Sequence, residues 1–286
     1  MKTWPRRLAI FVGILAALYL AACVYIWVTQ VDKIFKPLAI IPTNPARMGM
    51  AFDEVSIPVG HAPEQSKLNA FWVPVDNPNA PVFLCLHGNN ATIGKHLDQL
   101  QRLHQLGYHV LLVDYRGFGK SVGGGKPSET KVYEDAEAAW HYLTLVRGVK
   151  PQQAFIYGHS LGGAIAIELA TRHPEAAGLI AESTFTSMQA MAKRDYWYLP
   201  IDFLLQHRFD SIKKIGGLRI PVLLIHGTRD EKVPCEMTDQ LYAAAPQPKE
   251  RLLIAGGEHV NCGSIGWVEY KNKVTAFVQE QLKRAR

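Results

Sequence analysis

Gly158-His159-Ser160-Leu161-Gly162 fits G-x-S-x-G, a spacing that sets a serine on a strained turn whose neighbours cannot carry bulky side chains. The pentapeptide follows an apolar run at 154–157 and opens an alanine-rich helical stretch over 161–171, the strand-turn-helix setting that the motif needs. Serine is a poor nucleophile at its own pKa, so it needs a histidine base held in one tautomer by a carboxylate. With a nucleophile of this kind the partners follow in the order Ser, Asp, His. Asp230 stands just past the apolar run 222–225, and His259 just past 252–254 in Gly256-Gly257-Glu258-His259. Of eleven histidines, His259 alone follows Asp230. Ser160, Asp230 and His259 are therefore the expected nucleophile, acid and base.

Charge that develops on a substrate oxygen needs donors already in place. The run Leu84-Cys85-Leu86-His87-Gly88-Asn89-Asn90 ends a strand in a tight polar loop, and the backbone N–H groups of Asn89 and Leu161 are the expected oxyanion donors. His87, directly after the strand, reads as a structural hydrogen-bonding residue. Two other patterns lead elsewhere. Gly119-Lys120-Ser121 imitates the end of a P-loop, but Asp114 occupies the position where that motif requires its first glycine. Asp114 also precedes Ser160, the wrong order for the acid, and its loop through Ser121 reads as a turn bordering the site.

The elements that must hold these residues can be read from periodicity. Segments 51–58, 68–74 and 81–86 are strand-like, Ile93, Leu97, Leu100, Leu103 and Leu106 recur at helical spacing, and 109–113 is a continuous apolar run. Val132, Ala136, Ala139, Trp140 and Leu143 mark a helix. Strands at 154–157, 178–181, 222–225 and 251–254 follow, and a closing helix carries Val268, Val274, Phe277, Val278 and Leu282. This β-α alternation predicts an α/β fold, a mostly parallel sheet with helices on both faces. The segment 185–217, rich in Tyr196, Trp197, Tyr198, Leu199, Phe203, Leu204 and Leu205, is either a small cap or one extra packing helix.

Composition excludes several classes. The chain has 286 residues and 48% hydrophobic content, enough for a sizeable core. Its formal charge of +6 is dispersed among acidic residues, which argues against nucleic acid and leaves a mild bias toward an anionic membrane. Four cysteines without a C-x-x-C pair supply no zinc-site spacing, and nothing points to a metal or cofactor.

The N-terminus is the most unusual stretch, with twenty-one uncharged residues from Leu8 to Val28 behind Lys2, Arg6 and Arg7. As a helix it would be about 31 Å long, against a hydrocarbon core of about 30 Å. Leu20-Ala21-Ala22-Cys23 also resembles the lipobox at which bacterial lipoproteins are cleaved and lipidated, so Cys23 is an alternative anchor. The apolar run continues through Val24–Val28, which favours an uncleaved span. The expected organisation is an anchor over 1–29, a connector over 30–50 containing Pro37, Pro42 and Pro45, and a catalytic domain over 51–286.

Together HGNN, DYRGFGKS, GHSLGG, HGTRDEKVP and GEH resemble the α/β-hydrolase superfamily, and are most similar to single-span ABHD-type and bud-emergence-type hydrolases. The likeness runs from about Phe52 to the C-terminus. It implies a nucleophile, acid and base at Ser160, Asp230 and His259 and an oxyanion position at Asn89. Glu258 departs from the small residue such hydrolases often have before the histidine. The implied reaction is cleavage of a carboxylic ester or thioester through an acyl-enzyme; an amidase or peptidase with the same residues, and a non-catalytic binding protein on the same fold, are the alternatives.

Three further expectations follow. The sole N-x-[ST] acceptor, Asn90-Ala91-Thr92, lies in the oxyanion loop, where a glycan would obstruct the site; this favours a bacterial periplasm. Cys235 and Cys262 stand shortly after Asp230 and His259, on loops that must converge, so a disulfide between them and a pair of free thiols are both open. The aromatic segment 196–205 beside a membrane anchor suggests a lipid-like acyl chain as substrate.

Overall fold

In the computed structural model, which describes residues 3–60 and 65–284, the apolar runs of the sequence form the centre of one eight-stranded sheet. Its strands are β1 (Asp53–Val59), β2 (Ser66–Val73), β3 (Val82–Leu86), β4 (His109–Val113), β5 (Ala154–His159), β6 (Gly178–Glu182), β7 (Val222–Gly227) and β8 (Lys249–Ile254). They lie in the order β1-β2-β4-β3-β5-β6-β7-β8. β1 and β2 pair antiparallel, as do β2 and β4; every pairing from β4 to β8 is parallel. Every residue of β3 to β7 is buried, as a sheet covered on both faces requires.

The two-residue period of the strands divides the core. Leu84 and Leu86 of β3 face a cluster with Ala136, Trp140, Ile165, Leu169 and Leu241, from helices α3 (Glu129–His141), α4 (Leu161–Arg172) and α8 (Glu236–Ala244). Phe83 and Cys85 face the other way, onto Leu97, Leu100 and Leu103 of α2 (Leu97–Gln105) and Tyr270, Val274 and Phe277 of α9 (Trp267–Arg284). The helical spacing from Ile93 to Leu106 covers more than α2. Residues Ile93–Lys95 form a separate 3-10 turn, whose first N–H, that of Ile93, donates to Asp114 Oδ1 at 2.9 Å. The helix expected around 132–143 starts earlier, where Ser128 Oγ accepts the Lys131 N–H, and runs into a π turn at Tyr142–Val146.

The N-terminal helix α1 (Thr3–Ile34) is long and apolar enough to cross a membrane, and only its last turns are buried. It passes the boundary expected at residue 29, since Val31, Ile34 and the following Phe35 pack into the α3/α4 core. The expected connector is likewise attached to the body: Lys36–Pro37 pairs in parallel with Asn90–Ala91, and Met50 joins the opposite core. Between β6 and β7 the chain makes an excursion through α5 (Met188–Asp195), α6 (Ile201–Leu204) and α7 (Ser211–Ile215), three short helices where a single extra helix was the simpler expectation. Leu199 and Ile201 of this excursion bury Cys23 of α1.

Candidate active site

The turn after β5 holds Ser160 at φ 55°, ψ −119°, a backbone conformation that costs a non-glycine residue of order 1–3 kcal/mol and persists only where its surroundings enforce it. They do so on all sides. The Ser160 N–H donates to the Glu182 carbonyl at 2.9 Å, and the Ser160 carbonyl accepts from Gly163 N–H and Thr184 Oγ1. A Cβ on Gly158 would overlap the Gly162 carbonyl, and one on Gly162 would overlap the Leu86 carbonyl. The motif glycines are thus demanded by the close approach of β3, β5 and α4.

Asp230 and His259 come from the loops after β7 and β8 and meet Ser160 at one edge of the sheet. His259 Nδ1 lies 2.7 Å from Asp230 Oδ2, and its Nε2 lies 3.0 Å from Ser160 Oγ. A carboxylate only accepts, so Nδ1 carries the proton and Nε2 is free to accept from the serine hydroxyl. Asp230 Oδ1 accepts from the Lys232 and Val233 N–H groups, each at 2.9 Å. Burial pushes the Asp230 carboxyl up, but hydrogen bonds from His226, His259 and Val233 outweigh it and hold the carboxyl well below its usual range. The sequence reasoning missed His226, four residues before Asp230. Its Nε2 faces the Val233 carbonyl at 3.0 Å and so must be protonated, which lets it also reach Asp230 Oδ2 at 3.1 Å.

His159, the variable residue inside the motif, was also missed. Its Nε2 donates to the His259 carbonyl at 2.7 Å, pinning the backbone at that residue. Burial, helped by the neighbouring His259, lowers its pKa to about 4, so the ring is neutral. Behind it lies a sealed ionic cluster: Arg102 reaches Glu182 at 3.1 Å, Tyr157 donates to Glu182 at 2.6 Å, and Arg102 lies over the Tyr270 ring at 5.0 Å. Burial raises the Glu182 carboxyl, yet Arg102 and its other partners hold it below its usual range. Arg102 lies beside the stripe of Leu97, Leu100 and Leu103, about 100° around the helix from Leu103, so helical spacing gave no sign of its buried partner.

Asn89 and Leu161 flank the serine on the line of the cavity. Among the described residues neither N–H is engaged by a protein acceptor. The Asn89 side chain donates to the Ile34 carbonyl at 3.0 Å, and its carbonyl accepts from Lys36 N–H at 2.9 Å, so the loop is tied to the end of α1. His87 is buried and packs on Tyr115 and Phe118. Asp114 is occupied with Ile93 and, at 3.2 Å, His87. Ser121 closes its own turn on the Asp114 carbonyl.

Of the two states left open for Cys235 and Cys262, the structure has the pair of free thiols. Cys262 is buried beneath the base, donating to the Glu258 carbonyl at 3.0 Å, and burial pushes its thiol up to about 12. Cys235 instead borders an open surface depression beside Arg194 and Thr228. The loops converge on their catalytic ends while these two side chains point to different environments.

A cavity of about 490 Å³ opens over Ser160 and His259. Ile26, Gln30 and Ile34 of α1 form one wall; Met191, Tyr196, Leu204 and Leu205 of the excursion form another. Strand order and a cavity at the carboxyl edge of the parallel strands define the class, a hydrolase built on an α/β sheet. Residues 76–212 match the family described as Hydrolase_4, serine aminopeptidase, S33. An uncharacterized protein of Mycobacterium tuberculosis is 32% identical over 250 residues, covering 87% of this chain and 86% of that one. Alpha/beta hydrolase domain-containing protein 17B of Homo sapiens is 32% identical over 212 residues, 72% of this chain and 69% of that one. Among solved structures, the Pyrococcus furiosus esterase Pf2001 superposes with a TM-score of 0.71 at 21% identity, over 87% of this chain and 100% of that chain. The chain belongs to the α/β-hydrolase superfamily.

Proposed function

We propose that this protein is a membrane-anchored serine hydrolase that cleaves carboxylic esters or thioesters through an acyl-enzyme. The observation that carries this reading is the continuous chain from Ser160 Oγ through His259 to Asp230, with links of 3.0 and 2.7 Å, on a turn that is strained and enforced. His259 takes the serine proton as Oγ attacks the carbonyl. Asp230 stabilises the imidazolium without becoming protonated. The Asn89 and Leu161 N–H groups meet the oxyanion, and His259 returns its proton to the leaving group; water then repeats the sequence to release the acid. The apolar cavity walls suit an acyl chain. An aminopeptidase reading would need an anionic recess for a free amine, and the charged residues at this cavity include three lysines, Lys33, Lys36 and Lys232, against Asp32 and Asp195.

Helix α1 is the anchor, and the burial of Cys23 against Leu199 and Ile201 supports an uncleaved span over lipidation at that residue. Residues 51–286 form the catalytic domain and 185–217 its cap. Arg6 and Arg7 before the span favour an inward N-terminus and a periplasmic domain, and a glycan on Asn90 would crowd the joint with Lys36. A fluorophosphonate probe tests the chemistry: it should label the wild-type protein at Ser160 and leave Ser160→Ala unlabelled. A wild-type protein that stays unlabelled would sink the serine mechanism. Protease accessibility in inner-membrane vesicles tests the topology, and a domain exposed on the cytoplasmic face would refute it.

A further inference from the structure

The cap lies lengthwise along α1. Leu204 accepts from Gln30 Nε2 through its carbonyl at 3.2 Å, while the Tyr198 carbonyl accepts from Tyr19 Oη at 3.2 Å. Those two anchor residues are eleven positions apart, about 16 Å along a helix. The Tyr198 end of the cap therefore points toward the N-terminus of α1, down the span.

Helix length then decides where the bilayer must be. If the apolar slab ended where the cap first touches α1, at Tyr19, only Leu8–Tyr19 would cross it, about 18 Å of helix against a hydrocarbon core of about 30 Å. The turns needed to complete the crossing run from Leu20 to Val28, and they are the turns on which Leu199 and Ile201 pack. On the other side of those turns Val24, Tyr25, Trp27 and Val28 are exposed. Cap chemistry follows the same axis. Residues 196–201, Tyr-Trp-Tyr-Leu-Pro-Ile, carry no charge, and Trp197 is 80% exposed. Of the charges on either side, Lys193 and Asp202 pair with each other at 2.6 Å, Arg194 donates to the Glu231 and Lys232 carbonyls, and the exposed Asp195 marks the polar edge of the segment; Phe203, past Asp202, is 88% exposed.

Resting on the reading of α1 as a membrane span, we infer that the tip of the cap, Tyr196–Ile201, is itself immersed in the lipid of the leaflet next to the catalytic domain, and that the cavity between α1 and the cap takes its acyl chain sideways from that leaflet. The exposed aromatic rings then have an apolar or interfacial partner instead of water. The cavity wall of Ile26, Leu204 and Leu205 continues the lipid phase toward Ser160.

The test uses the full-length protein with Cys235→Ser, which leaves only buried thiols among the native cysteines. It is reconstituted in phosphatidylcholine–phosphatidylglycerol vesicles bearing nitroxides on the acyl chains. A fluorophore is attached at Val12→Cys in α1, Trp197→Cys in the cap, or Leu145→Cys, an exposed position beyond α3 at the opposite edge of the sheet. Quenching at Val12 and Trp197 but not at Leu145 is expected. Quenching at Val12 alone overturns the immersed cap and leaves the anchor standing; no quenching at Val12 removes the anchor and the proposal with it. In parallel, Trp197→Asp should lower turnover of a long-chain ester embedded in the vesicles by about tenfold, with a dissolved butyryl ester unaffected. Equal turnover of the embedded ester by variant and wild type, or an equal loss on both substrates, would also refute lateral entry.

Discussion

On the sheet side of the cavity, Ser160, Asp230 and His259 are fixed by backbone hydrogen bonds, by glycines that admit no side chain, and by a sealed cluster around Glu182. The opposite side is built from α1 and the excursion over 185–217, joined mostly through apolar contact with three polar ties among the described residues, Tyr19 to Tyr198, Gln30 to Leu204 and Gln206 to Gln30. The first side must hold reacting atoms to within about 0.5 Å, which directional bonds in a dry interior achieve. The second, under the proposed function, has only to exclude water from an acyl chain, and apolar burial does that without fixed geometry. Rigid and adaptable walls therefore coincide with chemistry and binding.

The sharpest way to break this division is to remove the chemistry alone. Ser160→Ala or His259→Ala should lower kcat by about 10⁶, and Asp230→Asn by about 10⁴, with thermal melting nearly unchanged for Ser160→Ala. Single-turnover and steady-state rates on a soluble ester measure this. A loss below about tenfold for any of the three would move the reaction elsewhere. Next in size is the support beneath. Glu182→Gln strands the Arg102 charge, which is 5% exposed, and should cost about 3–5 kcal/mol in a urea melt, the range for halving a buried ion pair. An exposed change on the adaptable side, Phe203→Ser, should fall within about 0.5 kcal/mol in the same melt.

The meeting of Ser160, His259 and Asp230 was more legible in the sequence than its surroundings, and for a physical reason. The strands and the nucleophile turn announce themselves because continuous apolar runs and paired glycines have few other uses, and the order of Asp230 and His259 after Ser160 narrowed eleven histidines to one. His159 and Glu182 stayed hidden because their partners, the His259 carbonyl and the Arg102 guanidinium, are distant in the chain and meet them only in the fold, whereas His226 had Asp230 four residues on but no motif to mark it. The stretch from Gln30 to Met50 read as a connector from its prolines, yet Phe35 is 1% exposed and Lys36 pairs with Asn90. Periodicity cannot register a short segment that docks on a distant loop. The same blindness hid the part of α1 in the cavity, where Ile26, Gln30 and Ile34 form a wall.

That wall makes binding, in contrast to chemistry, graded. Four additional methylenes on the acyl group should contribute about 3 kcal/mol at about 0.8 kcal/mol each, raising kcat/KM roughly a hundredfold until the cavity is full. Rates below the critical micelle concentration across acyl lengths test this, and a steady fall from acetyl onward would eliminate the lipid-like substrate. Ala192→Trp, which fills the cap side of the cavity, should shorten the preferred chain and leave acetyl ester rates alone. Smaller still is the joint between the two sides. Asn89→Ala keeps the backbone donor but releases the Ile34 carbonyl; a lost hydrogen bond of about 1 kcal/mol predicts a roughly fivefold drop in kcat. A drop as deep as that of Ser160→Ala would make the side chain part of the chemistry.

The smallest effect concerns how the rigid side tolerates acid. His159 is buried and neutral, with its pKa lowered from 6.5 to about 4, first by burial and then by His259. The unfolded chain takes up a proton at this residue once the pH falls below about 6.5, whereas the native protein does not until about 4. Its contribution to stability is therefore full above pH 6.5, is lost as the pH drops through that window, and levels off below it. One proton corresponds to a slope of at most about 1.4 kcal/mol per pH unit. His159→Gln keeps a donor for the His259 carbonyl but cannot titrate. Other groups titrate in the same range, among them Asp135, whose carboxyl burial raises to about 6 and which acts with the opposite sign. They are common to both proteins, so the difference between the two isolates His159. Urea melts at pH 7, 5.5 and 4.5 should show the wild type losing stability relative to His159→Gln as the pH falls. Parallel pH profiles would mean that His159 is already protonated, or solvated, in the native protein, and that the floor beneath His259 is less dry than the geometry requires.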